Sequence, residues 1–153
     1  MNFWLFLHLA GAVLFAGNII TAAFWKIRAE SEKNPVLIHS AAKNVMLADY
    51  VFTLPGLVLI ISSGIVMTVR AGIPLDRLNW LTLSLILLAV TGIVWGGLLV
   101  PLQRAMIRYS AASVESGKVT SAYLRASRRW NLLGTVATLL PLIIFYLMVM
   151  KSF

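Results

Sequence analysis

One imidazole stands inside an apolar run long enough to cross a membrane. His8 lies between Phe3 and Trp25, a stretch of 23 residues without Asp, Glu, Lys or Arg. An ionisable side chain at such a depth tends to face the interior of a helical bundle and to mark function. A neutral imidazole is a ligand for haem iron or copper. On a helix its neighbours at i+3, i+4, i+7 and i+8 are Gly11, Ala12, Phe15 and Ala16. Small side chains there leave room for a flat macrocycle, and equally for a closely packed second helix. Without a ligand, the same histidine would bond a neighbouring helix or snorkel to the interface, because an unpaired polar group in lipid is costly.

Methionine supplies the second type of donor. By topology Met67, at the outer end of the second apolar run, and Met148 and Met150, at the outer end of the fourth, are expected in the same leaflet as His8, and a thioether beside an imidazole suits haem iron or Cu(I). Methionine is also a common filler of apolar helices. His39 belongs to a connection a membrane thickness from His8 and reads as a surface residue. Asp49, beside Tyr50, is expected to pair with Lys26, Arg128 or Arg129, with proton relay as its other role. Asn18 is expected to bond across helices. No Ser/His/Asp triad, paired carboxylates or phosphate loop appears among the five acidic residues, so hydrolase chemistry has little support. With no cysteine, thiolate metal sites and disulfides are excluded.

These residues need helices to hold them. The 153 residues are 60% apolar and only 12% charged, against about 25% charged in a soluble domain, and the mean hydropathy is +0.90. Four runs, 3–25, 51–69, 80–100 and 132–150, each approach the roughly 20 apolar residues a spanning helix needs. In lipid only a helix satisfies its own backbone. The expectation is an all-α, four-transmembrane-helix bundle forming a single membrane domain over 1–153. The first run lacks a basic leader segment and reads as a retained helix.

Ten of the thirteen Lys and Arg residues lie in the connections 26–50 and 101–131, and Arg70, Arg77 and Lys151 lie on the other side. The positive-inside rule then predicts both termini outside and both connections cytoplasmic. Trp4 and Trp80 would mark the outer interface and Trp25 and Trp130 the inner one. The net charge of +8 is thereby accounted for by topology and by attraction to anionic lipid. Nucleic acid is not an expected partner, since no soluble basic face exists to carry it.

Asn34-Pro35 predicts a helix start near residue 35, running to Arg70. The third helix should continue past Pro101 toward Glu115, with a turn at Ser116-Gly117-Lys118, and the fourth should begin near Thr120. A faint repeat pairs Trp4–Leu9 with Trp80–Leu85, and Leu54-Pro55 with Leu140-Pro141. Two parallel hairpin repeats would place His8 and Ser84 at equivalent positions facing the axis. Pro55 and Pro141 are expected to kink their helices. Gly92-Ile93-Val94-Trp95-Gly96 is a small-residue helix contact of low specificity.

Several stretches resemble an uncharacterised family of small bacterial four-helix integral membrane proteins. They are Leu7-His8-Leu9-Ala10-Gly11-Ala12, Gly17-Asn18, Phe24-Trp25-Lys26, Asp49 to Gly56 and Val100-Pro101-Leu102-Gln103. That family is similar in layout to a superfamily holding the copper-resistance D proteins and the HemJ-type protoporphyrinogen oxidases. The resemblance implies an N-out bundle in the bacterial inner membrane and, from the HemJ type, a haem held by a first-helix histidine, the position of His8. The lysine that the HemJ type carries in its third helix is replaced here by Ser84, so the resemblance implies binding more than porphyrinogen oxidation. The copper-resistance relatives imply copper held by His8 with Met67, Met148 or Met150. The expected functions are haem b or tetrapyrrole binding with a redox role, then copper binding or transfer. A cofactor-free structural subunit, acting as a homodimer or with a membrane partner complex, is the third.

Overall fold

The computed structural model describes residues 1–151. Its helices are α1 Asn2–Ser31, α2 Pro35–Ala71, α3 Trp80–Ser116 and α4 Ser121–Met150, and no strand occurs among the described residues. All are long and apolar enough to cross a bilayer. The 37 residues of α2 and of α3 reach about 55 Å at ~1.5 Å per residue, well beyond a hydrocarbon core of about 30 Å. Both helices therefore project past the lipid at one end.

Local chemistry sets the boundaries. Asn34 accepts a hydrogen bond from the Val36 amide at 2.9 Å, with Pro35 in the first turn where its missing N–H costs nothing. Gly72 and Gly117 take left-handed φ values of 62° and 70° and end α2 and α3. Asn79 and Thr82 form a reciprocal capping box that starts α3, and Thr120 caps α4 through the Tyr123 amide.

The bundle is polar inside and apolar outside. Asn18, Lys26, Asp49, Thr53, Ser63, Thr91 and Gln103 are buried, while Val13, Val69 and Leu132 are at least 70% exposed. That inversion suits a lipid solvent, in which polar groups gain by facing one another. The apolar core gathers Ile38, Val45, Leu99, Met106 and Trp130 in the half of the bundle that carries the basic connections, where all four helices meet. Toward the end that holds the chain termini, α1 pairs with Leu54–Ala71 and α4 with Trp80–Ile93. Among the described residues no Cα of Leu54–Ala71 comes within 8 Å of α3 or α4 at that end. The molecule is thus two hairpins, joined at the basic end and diverging toward the terminal end.

Two helices widen before a proline. In α2 the segment Asp49–Thr53 is a π-helical turn in which the Leu54 amide bonds the Asp49 carbonyl. In α3 the segment Val94–Leu99 is another, with the Val100 amide bonding the Trp95 carbonyl. Pro55 and Pro101 each follow one residue beyond the turn; each lacks an N–H and crowds the carbonyl four residues earlier, and a wider turn relieves both problems. Pro141, expected to behave like Pro55, instead lies inside an uninterrupted α4. The prolines with matching backbone surroundings are Pro55 and Pro101.

Candidate functional site

His8 sits on α1 against a notch in α2. Gly64 borders it: a Cβ there would lie 3.4 Å from His8 Cε1 and 3.6 Å from Nδ1, in ordinary van der Waals contact. Nδ1 is 3.1 Å from the Ile60 carbonyl oxygen and 3.1 Å from Ser63 Oγ. A carbonyl can only accept, so Nδ1 must carry the proton. The Ser63 hydroxyl donates its own proton to the Leu59 carbonyl, so it too accepts from Nδ1. Both partners select the same tautomer and leave Nε2 with a free lone pair. A backbone carbonyl on the far nitrogen is how metal-ligating histidines are commonly oriented.

The surroundings differ in part from those expected. Gly11 is not open to a ring: a Cβ there would come 2.7 Å from the Gly56 carbonyl oxygen and 2.9 Å from Leu59 Cβ, so α2 fills that face. Phe15 is buried and lines a cleft at the centre of the bundle; Ala12 and Ala16 are half-buried. Ser84 is buried and donates to the Trp80 carbonyl at 2.7 Å. It belongs to the α3–α4 hairpin, and no Cα of Trp80–Ile93 lies within 8 Å of α1 among the described residues, so Ser84 does not pack directly against the helix that carries His8.

Met67 stands one turn beyond Ser63 and Gly64 on the same face of α2 and is half-buried. One turn farther, Arg70 lies 5.9 Å from the ring of Trp4, so Met67 falls between that pair and His8. Met148 and Met150 are on α4, half-buried and exposed respectively, in the other hairpin. Among the described residues no group of three or more His, Cys, Asp or Glu side chains gathers to hold a metal.

A second polar centre lies deeper. Asp49 is buried, and its carboxylate receives four neutral donors. Asn18 Nδ2 and Thr53 Oγ1 donate to Oδ1, both at 2.9 Å, and Gln103 Nε2 and Trp95 Nε1 donate to Oδ2 at 2.7 and 3.2 Å. Asn18 also donates to Thr53 Oγ1 at 2.9 Å. The expected cationic partners are elsewhere. Lys26 pairs with Glu30 at 2.8 Å, while Arg128 and Arg129 are exposed and make no salt bridge among the described residues. The π turn rotates Asp49 toward α1 and α3, where amide, hydroxyl and indole donors complete its four lone-pair positions. Asn18 bonds across helices as expected.

The Lys26–Glu30 pair forms a third cluster, between α1 and α4. Lys26 Nζ donates to Ser127 Oγ at 2.7 Å and to Asn131 Oδ1 at 2.8 Å, and it lies 4.9 Å from the Trp130 ring. Glu30 Oε1 accepts from Tyr123 and Ser127. Trp130 is therefore buried over a lysine rather than placed at a lipid interface. His39, expected at the surface, is half-buried, with Nδ1 2.8 Å from Ser110 Oγ, because the projecting ends of α2 and α3 pack together. The i,i+4 spacing of Lys26 and Glu30 was the available sequence signal for the third cluster. For Asp49 only Thr53 has that spacing; Asn18, Trp95 and Gln103 come from other helices and left no local signal.

Residues 3–152 match the family described as a predicted integral membrane protein (DUF2269). No curated protein and no solved structure matches the chain.

Proposed function

The chain belongs to the family of predicted integral membrane proteins DUF2269, and on that premise we propose that it is a haem- or tetrapyrrole-binding membrane protein with His8 as axial ligand. The observation that carries this reading is the Nδ1 contact with the Ile60 carbonyl at 3.1 Å, which leaves Nε2 free to coordinate. Because α2 closes the Gly11 face, the ring would lie on the side of His8 away from Gly64, where the two hairpins diverge. A haem bound there would supply one-electron redox chemistry. The protein's part is to fix the imidazole, its tautomer and a low-polarity surround. The first-helix histidine is also what the likeness to the copper-resistance D and HemJ-type layout implies.

In this reading both termini face outward from a bacterial inner membrane, the side opposite the ten basic residues, and the His8 site lies in the outer leaflet. The test is an oxidised and dithionite-reduced spectrum of protein expressed with haem precursor, beside His8→Ala made identically. A Soret band near ~400 nm or slightly above that the variant lacks supports the assignment; the same band in both removes His8.

A second reading has one observation in its favour. Met67 on the His8-facing surface of α2 would give Cu(I) an imidazole and a thioether within one hairpin. Stoichiometric copper after mild chelation, lost in both His8→Ala and Met67→Leu, would favour it over haem. Protein free of both metal and chromophore, purifying as a dimer or with a membrane partner, would point to a structural subunit.

A further inference from the structure

A groove of about 580 Å3 follows the seam between α1 and the first part of α2. It is open to the outside, since Trp25, Arg28 and Phe52 in its walls are all exposed. One stripe from each helix lines it. On α1 and its C-cap the stripe is Thr21, Trp25, Arg28 and Glu32, and on α2 it is Ser40, Asn44, Ala48 and Phe52. Intervals of three and four residues set each group on one helix face. Ala22, Ala29 and Ala41 contribute only methyl groups to the lining, which leaves the space between the stripes open.

Both stripes change character along the membrane normal, and they change together. From Asn18 to Glu32 the groove follows α1 for about 21 Å at ~1.5 Å per residue, passing from the uncharged run 3–25 into the basic connection. Trp25, Ala48 and Phe52 belong to the apolar part. Arg28, Glu32, Ser40 and Asn44 form the other part, and all four are exposed. A spanning helix of a partner would meet charge over one end of that length. An amphiphile, with a polar head and an apolar chain, matches both parts.

The charges select the head. Arg28 Nη2 lies 2.7 Å from Glu32 Oε1, and Nη1 donates to Ser31 Oγ at 3.0 Å. A guanidinium has five N–H donors and a carboxylate about four acceptor positions, so each group keeps capacity for a further partner. An anionic head would satisfy Arg28 but lie against the Glu32 carboxylate, and a quaternary ammonium head has no N–H to give that carboxylate. A phosphate joined to a primary ammonium offers a charge-assisted bond to each. We propose that the groove holds one phosphatidylethanolamine molecule, its phosphate at Arg28, its ammonium at Glu32 and an acyl chain along Trp25 and Phe52. Ser40 and Asn44, on the opposite wall, supply hydroxyl and amide donors for the phosphate and glycerol ester oxygens. The groove shares no residue with the His8 niche.

The experiment uses the full-length protein, stripped of lipid in detergent and titrated with dioleoyl phosphatidylethanolamine, phosphatidylcholine or phosphatidylglycerol, with bound lipids counted by native mass spectrometry. One phosphatidylethanolamine per chain should bind about three- to tenfold more tightly than either of the others, the worth of about one hydrogen bond. Glu32→Ala should remove that advantage, and Arg28→Gln should weaken phosphatidylethanolamine binding by a similar factor. Both side chains are exposed, so neither substitution should disturb the fold. Lys118→Gln removes an exposed charge at the same end of the molecule but outside the groove, and it should leave binding unchanged. His8→Ala should bind the lipid as the unaltered protein does, so failure of the haem reading would leave this one standing. Equal binding of the three lipids, tighter binding of phosphatidylglycerol, indifference to both groove substitutions, or a protein dimer that takes up no lipid would overturn the proposal.

Discussion

Trp95 Nε1 lies 3.2 Å from Asp49 Oδ2, and each of these residues stands where its helix widens into a π turn ahead of a proline. The two irregularities face each other across the hairpins, and the carboxylate joins them. With Asn18 and Gln103 completing the shell, one side chain ties α1, α2 and α3 together at the level where the hairpins begin to part.

Asp49→Asn should therefore destabilise the fold although it preserves shape. The new amide sets N–H groups against two of the four donors, and a loss of about 2–4 kcal/mol is expected for charge-assisted bonds of this kind. Thermal unfolding in one detergent, beside Glu115→Gln as an exposed control, measures it. An unchanged midpoint would show that the carboxylate does not hold the hairpins.

The α1–α2 hairpin depends on bare backbone. A Cβ on Gly56 would come 2.9 Å from both the Gly11 carbonyl oxygen and the Phe15 amide nitrogen, so Gly56→Ala should cost about 1–3 kcal/mol through forced separation. At Gly17 nothing lies within 4 Å, and Gly17→Ala should be neutral or stabilising by up to about 1 kcal/mol. Equal effects at the two sites in a denaturation series would contradict the packing.

Lys26 is 1% exposed and its pairing is internal, whereas Arg28 and Glu32 are 61% and 44% exposed. Lys26→Ala strands Glu30 and should cost about 3–5 kcal/mol; Arg28→Ala should cost under about 1 kcal/mol. Removing both partners, as Lys26→Met with Glu30→Gln, should recover much of the loss. A double variant as unstable as Lys26→Ala would locate the energy in packing around Trp130 instead.

Orientation can be read directly because the chain has no cysteine. In whole cells Asp76→Cys should react with a membrane-impermeant maleimide, and Lys118→Cys should react only after lysis. The reverse pattern would invert the proposed topology.

The helix plan was legible in the sequence. Asn34-Pro35, Gly117 and Thr120 are local signals, and α2 starts, α3 stops and α4 starts at them. The lone His8 was legible for the same reason: one ionisable residue in an apolar run stands out. The π turns were not, because what they accomplish is to aim Asp49 and Trp95 at each other, a relation across 46 positions. The role of Gly11 was open in sequence, since a glycine face serves a ring or a helix equally, and only the position of Gly56 decides between them. Trp130 was read as an interfacial anchor because the pairing of α1 with α4, which places Lys26 beneath it, leaves no periodic trace.

The central claim is that His8 Nε2 coordinates a tetrapyrrole, and cavity complementation tests it most directly. His8→Gly protein should lack the haem spectrum and recover it when exogenous imidazole is added with haemin, because Gly64 and the Ile60 carbonyl still shape the vacated niche. A Soret band that persists in His8→Gly without imidazole would place the ligand elsewhere and contradict the account.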